Sequence, residues 1–146
     1  MTDPFDLERF LRAQEPVFRA VLEELARGRK QTHWMWFVFP QIAGLGFSAM
    51  SRRYAVGSRA EARAYLAHPT LGPRLIECTR LVLAVQGRTI HAILGAPDDA
   101  KFCSSMTLFG AVSDESVFGE ALARYFAGKP DSATLEILAS LDREAR

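Results

Sequence analysis

The sequence is poor in cysteine, nearly neutral in charge and lacks any long apolar run, and each shortage removes a class of protein. Its two cysteines, Cys78 and Cys103, match no zinc-ligand spacing and are too few for a disulfide scaffold. Both stand among apolar neighbours and are expected to be buried free thiols. The three histidines, His33, His68 and His91, are too dispersed to suggest a metal site. Lys and Arg number 18 against 17 Asp and Glu, a formal charge of +1, so neither nucleic acid nor an anionic membrane surface is a predicted partner. No uncharged apolar run approaches the roughly 18 residues of a membrane span. The opening MTDPFDLERF is acidic and amphipathic, unlike a secretory leader, so a cytoplasmic location is expected. Also missing are a phosphate-binding glycine loop, a dinucleotide fingerprint, a nucleophile elbow and a His-Glu-x-x-His pattern. No cofactor or metal is predicted, and the oligomeric state is left open.

What is present reads as helix. At 146 residues and 49% hydrophobic, the chain is long enough for one domain with a real core. Asp6 is placed to cap a first helix through Leu7, Phe10, Leu11 and Gln14, and Pro16 to start a second carrying Val17, Val21 and Leu25 up to Gly28. Ser58 followed by Glu61 is a capping-box pattern before Ala60–Ala67. His68-Pro69 then interrupts, and an apolar stripe runs from Leu71 to Val85. Ile90, Ile93 and Leu94 make a short helical turn. Asp98 or Asp99 can cap a helix with Phe102, Met106 and Phe109 on one face, and Ser113 or Asp114 the next, which stops at Gly128. A final helix begins at Asp131 or Ser132 and presents Leu135, Leu138 and Leu141. No strand pattern or hairpin signal appears. The prediction is an all-α single domain, residues 1–146, of about seven helices, several of them short. A Trp-rich irregular segment near residues 30–46 fits neither period: it is either a buried strand-like stretch or a short apolar helix opening into a loop.

Two groups of residues are unusual for a helical bundle. The first is Lys30, Thr32, His33, Trp34, Trp36 and Gln41. Indole faces stack on planar ligands, a lysine and an amide orient them, and an imidazole titrates near neutrality as a general acid or base. The second is Asp98, Asp99, Lys101, Ser104, Ser105 and Thr107, hydroxyls and a lysine near a predicted helix start, where free N–H groups favour anions. Each has a structural alternative: aromatics fill cores, aspartates cap helices, and mid-helix hydroxyls bond back to a carbonyl one turn earlier. His68 and His91 are expected to be structural; Arg52, Arg53 and Tyr54 follow the glycine loop and could meet a ligand's phosphate, although exposed arginines ordinarily have no such specific role.

Three strings, HWMWFVFPQ (His33–Gln41), AYLAHPTLGPRL (Ala64–Leu75) and KFCSSMTLF (Lys101–Phe109), together resemble the bacterial and fungal family called domain of unknown function 1810. The resemblance spans Leu7 to Leu138 and implies an all-helical fold. Cys103 departs from the polar or small residue expected in the third string, which touches packing more than a site. Family members often carry the name calpastatin, but nothing here resembles repeated, disordered calpain-inhibitory segments. The family brings no activity with it. The expectation is therefore a small-molecule site where the two groups meet, for a nucleotide-like or phosphorylated metabolite, with Lys30, Trp34, Trp36, Gln41, Lys101, Ser104, Ser105 and Thr107 binding. In an enzymatic version His33 is the acid or base, and Asp98 or Asp99 stabilises cationic character on a ribose. The alternative is a non-catalytic interaction module presenting the aromatic segment as an exposed patch.

Overall fold

The computed structural model describes residues 2–145. Among them are ten helices: α1 (Glu8–Gln14), α2 (Phe18–Ala26), α3 (Met35–Val38), α4 (Ala49–Arg53), α5 (Arg59–Ala67), α6 (Leu71–Ala84), α7 (Ile90–Leu94), α8 (Asp98–Ala111), α9 (Ser116–Phe126) and α10 (Ser132–Glu144). The class is as predicted, but the count of about seven is too low. The helix that escapes the sequence is α4, five residues long, while α3, of four residues, is one of the two forms open to the Trp-rich segment; both are too short to show a 3.6-residue period. The Trp-rich segment takes the second of its two predicted forms, a short apolar helix opening at Pro40 into a loop. Past Pro40 the chain makes an isolated parallel bridge, Ile42 to Val56, closed by 2.8 Å hydrogen bonds from Val56 N to Gln41 O and from Ala43 N to Val56 O.

α8 is the centre of the molecule. α5, α7, α9 and α10 pack on it, while α6 packs on α2, α5 and α9. A helix with neighbours on most sides cannot be amphipathic, and Ser104 through Phe109 are all buried without a break. Edge-to-face and tilted rings tie the core together: Phe39 meets Phe102 at 5.0 Å, Phe10 meets Tyr65 at 5.0 Å, and Tyr65 meets Phe109 at 5.4 Å. Gly72 marks the tightest crossing, since a Cβ there would fall 2.0 Å from the Leu66 carbonyl oxygen at the α5–α6 junction.

Several capping expectations need correction. Asp3, not Asp6, satisfies the start of α1, its two oxygens accepting from Leu7 N at 2.8 Å and Glu8 N at 3.0 Å. Asp6 has a left-handed φ of 51° instead. Pro16 lies in the turn ahead of α2, whose N-cap is Val17. Neither Ser113 nor Asp114 is the N-cap of α9; that position is Glu115, whose amide donates to the Ser113 hydroxyl at 3.0 Å. Ser58 and Asp131 do cap their helices, accepting from Glu61 N and Thr134 N. His68 has the structural role expected of it: its Nδ1 accepts from the amides of Thr70 and Leu71 at the start of α6. Cys78 is buried, its thiol pushed up to about 12 by burial, but Cys103 is only half-buried. Leu135, expected on the apolar face of α10, is exposed.

Candidate functional site

The centre of the Trp-rich segment is a residue outside both groups, Glu24. It stands on the apolar face of α2 between Val21 and Leu25 and is 3% exposed. Its carboxylate accepts four hydrogen bonds: from Gln31 N at 2.7 Å, Thr32 N at 2.9 Å, Thr32 Oγ1 at 2.6 Å and Trp34 Nε1 at 3.0 Å. Burial works to raise its pKa, but the Thr32 hydroxyl, the two amides and the indole favour the anion and hold it at about 2. The signal in the sequence was an acid at a core position of a helical stripe, where an unpaired carboxylate is too costly to leave without partners.

Trp34 is thereby fixed as a core residue, with no exposed surface. Met35, Phe37, Val38 and Phe39 are buried with it, so this run is not an exposed aromatic patch. Trp36 differs: it is half-buried, at the edge of the core cluster.

At this edge the two groups meet. Lys30 Nζ lies 2.9 Å from Asp98 Oδ2, donates to Thr32 O at 2.6 Å, and sits 5.0 Å from the Trp34 ring centroid. Lys101 Nζ lies 3.8 Å from the other Asp98 oxygen and 5.5 Å from the Trp36 ring centroid. The order across the corner is indole, ammonium, carboxylate, ammonium, indole. Backbone pins it as well, Lys30 N donating to Ile93 O at 2.7 Å. Asp98 and Asp99 do not cap α8, as either was expected to do. They form its first two residues, and the N-cap, Pro97, offers no side-chain acceptor. Asp99 pairs with His91 Nδ1 at 3.1 Å and accepts from Ala100 N. His33 is exposed and makes no hydrogen bond or ion pair with a described residue.

The remaining predicted residues lie elsewhere. Gln41 lines a separate 170 Å³ recess with Gly44, Ser51 and Arg52. Thr107 donates to Cys103 O and accepts from Asp131 N, both at 2.8 Å, which joins α8 to the start of α10 beside a 330 Å³ cavity. Ser104 bonds back to Ala100 O at 3.3 Å, and Ser105 Oγ is buried with no hydrogen-bond partner among the described residues. No group of three or more His, Cys, Asp or Glu among the described residues is arranged to hold a metal. No described helix is long and apolar enough to cross a membrane.

The family model for a protein of unknown function, DUF1810, matches residues 4–138. A crystal structure of the conserved hypothetical protein Rv1873 from Mycobacterium tuberculosis is 57% identical, with a TM-score of 0.93, over 94% of this chain and 99% of that one. Comparison with curated proteins gives no match. With the model covering nearly the whole chain and a solved relative sharing the fold end to end, the protein belongs to the DUF1810 family.

Proposed function

We propose that the protein is a binding protein for a small, planar, anionic ligand, a nucleotide-like or phosphorylated metabolite, held at the corner where residues 30–36 meet the start of α8. The observation that carries this reading is the sharing of one carboxylate, Asp98, by two ammonium groups, one of them beside a half-buried indole. A single carboxylate leaves two lysines short of full compensation, and Lys101 is free to turn from it toward an incoming anion. The Trp36 face beside it is suited to stacking. Lys30, clamped between Asp98, Thr32 O and the Trp34 ring, keeps the corner in place rather than reaching outward.

Binding fits this arrangement better than catalysis. Both Asp98 oxygens face lysines, and Asp99 is taken by His91 and an amide of its own helix, so neither carboxylate stands free for a reacting centre. His33 contacts neither of them. The site so drawn comprises Trp36, Lys101, Asp98 and Lys30. Gln41, Ser104, Ser105 and Thr107 fall outside it because their side chains serve other recesses or the interior of α8.

The test is intrinsic fluorescence and thermal shift against inorganic phosphate, nucleoside monophosphates and sugar phosphates. A saturable fluorescence change with a raised Tm is expected for at least one planar phosphorylated compound. Both responses should disappear in Lys101→Gln, which leaves the core untouched. A response that survives Lys101→Gln, or none across the panel, overturns the reading.

A further inference from the structure

α6 has two faces, and the outer one is only partly covered by its own chain. Leu71, Leu75, Cys78, Thr79 and Val82 are buried toward α2, α5 and α9. The opposite face presents Pro73, Ile76, Glu77, Arg80, Leu81 and Ala84 as a shallow, open surface, with Ile76 and Leu81 half-buried at its margins. Solvent-facing helix surfaces are ordinarily polar, and here four of the six are apolar. Glu77 and Arg80 form no ion pair with any described residue.

The face is complementary to itself. Positions 73, 77, 80 and 84 are spaced four, three and four apart, the spacing of an antiparallel helical seam. They are symmetric about the point between residues 78 and 79. A two-fold axis at that point sets Glu77 of each copy level with Arg80 of the other, and Pro73 level with Ala84. Ile76 then approaches its own equivalent on one flank of the seam, and Leu81 its own on the other. A parallel alignment would set Glu77 against Glu77 and Arg80 against Arg80, so the charges specify the direction.

We propose that α6 is the seam of an isologous homodimer in which two copies of this chain pack these helices antiparallel. The occupant follows from charge: a face with one acid and one base in these places is matched by the same face reversed. Fourteen residues give a seam of about 21 Å. The contact extends past the helix, because Ile76 also lines an adjoining 310 Å³ recess with Leu66, Ala67 and Val112. With two ion pairs in the middle of the seam, association should weaken as salt rises. The inference is independent of the ligand site, which lies on other elements.

Sedimentation equilibrium of the full chain tests it. Wild type is expected to dimerise reversibly and more weakly in high salt. Glu77→Arg and Arg80→Glu each set like charges across the seam and should weaken self-association by roughly tenfold or more. The double reversal, Glu77→Arg with Arg80→Glu, should restore it. Mixing the two single variants in equal amounts should give a heterodimer that neither forms alone. Both positions are exposed, so circular dichroism should show every variant folded. A wild type that stays monomeric up to millimolar concentration overturns the proposal, as does a dimer indifferent to both reversals.

Discussion

Trp34 and Trp36 stand two residues apart on the same short stretch, yet their environments are opposite. Trp34 has no exposed surface, and its indole N–H is bound to the Glu24 carboxylate at 3.0 Å. Trp36 is half-buried, its indole donates to no described residue, and its ring lies beside a lysine that has another place to go. The two acids nearby differ in the same way. Glu24 takes four short hydrogen bonds from fixed donors, whereas Asp98 is shared between the clamped Lys30 and the more loosely held Lys101. One half of the segment is built to stay shut, and the other half holds groups that can exchange partners. Similar residue types therefore carry structure on one side of the corner and, in the function proposed above, binding on the other.

The comparison breaks most visibly at Glu24. Glu24→Ala removes the acceptor for four donors in and around the core and is expected to cost about 3–5 kcal/mol. Asp98→Ala should cost less, about 1.5–3 kcal/mol, because Lys30 keeps the Thr32 carbonyl and Lys101 can turn to solvent. Urea unfolding of the two variants side by side measures the difference, and equal losses would erase the distinction drawn here.

Acid sharpens the same contrast. The Glu24 carboxyl sits at about 2 in the fold against an ordinary 4.5. Its depressed value stabilises the fold fully above the ordinary pKa, and that contribution is lost as pH falls through the folded one. The loss over this interval amounts to roughly 3 kcal/mol. Urea midpoints taken across this acid range should show a clearly larger decline in wild type than in Glu24→Gln, where Asp3 and the other carboxylates still titrate. A smaller effect separates the tryptophans themselves. Trp34→Phe should lose about 2 kcal/mol through one buried hydrogen bond and poorer packing, and Trp36→Phe less than about 1 kcal/mol. Calorimetric Tm values report both. Smallest of all is Ser105→Ala, which removes a buried hydroxyl without a partner. It should leave stability unchanged or raise it by up to about 1 kcal/mol, whereas a clear loss would show that the hydroxyl is satisfied in solution.

The helical class was legible because α2, α5, α6, α9 and α10 are long enough to show apolar stripes, and several are followed by glycine. The N-terminal caps were read less well. Asp3 and His68 act on amides several residues away, and Asp98 turns to two lysines instead of its own helix end. Of the site, the meeting of Lys30 and Trp36 with Asp98 and Lys101 follows from the two groups singled out in the sequence. The inward turn of Ser105 does not, because α8 is buried on most sides and so has no polar face to mark. Glu24 escaped, although it stands at a core position of the α2 stripe, because nothing in the sequence marks the donors that pair with it. The α6 seam escaped because its outward residues read as the ordinary margin of an apolar stripe.

The indole N–H resonances of the 15N-labelled protein, titrated with adenosine 5′-monophosphate, test the central claim most directly. The two tryptophans give two signals, one for each side of the comparison. The account predicts a saturable shift of the Trp36 signal that is lost in Lys101→Gln, with the Trp34 signal staying in place throughout. Movement of the Trp34 signal alone, or no saturable movement of either, would contradict it.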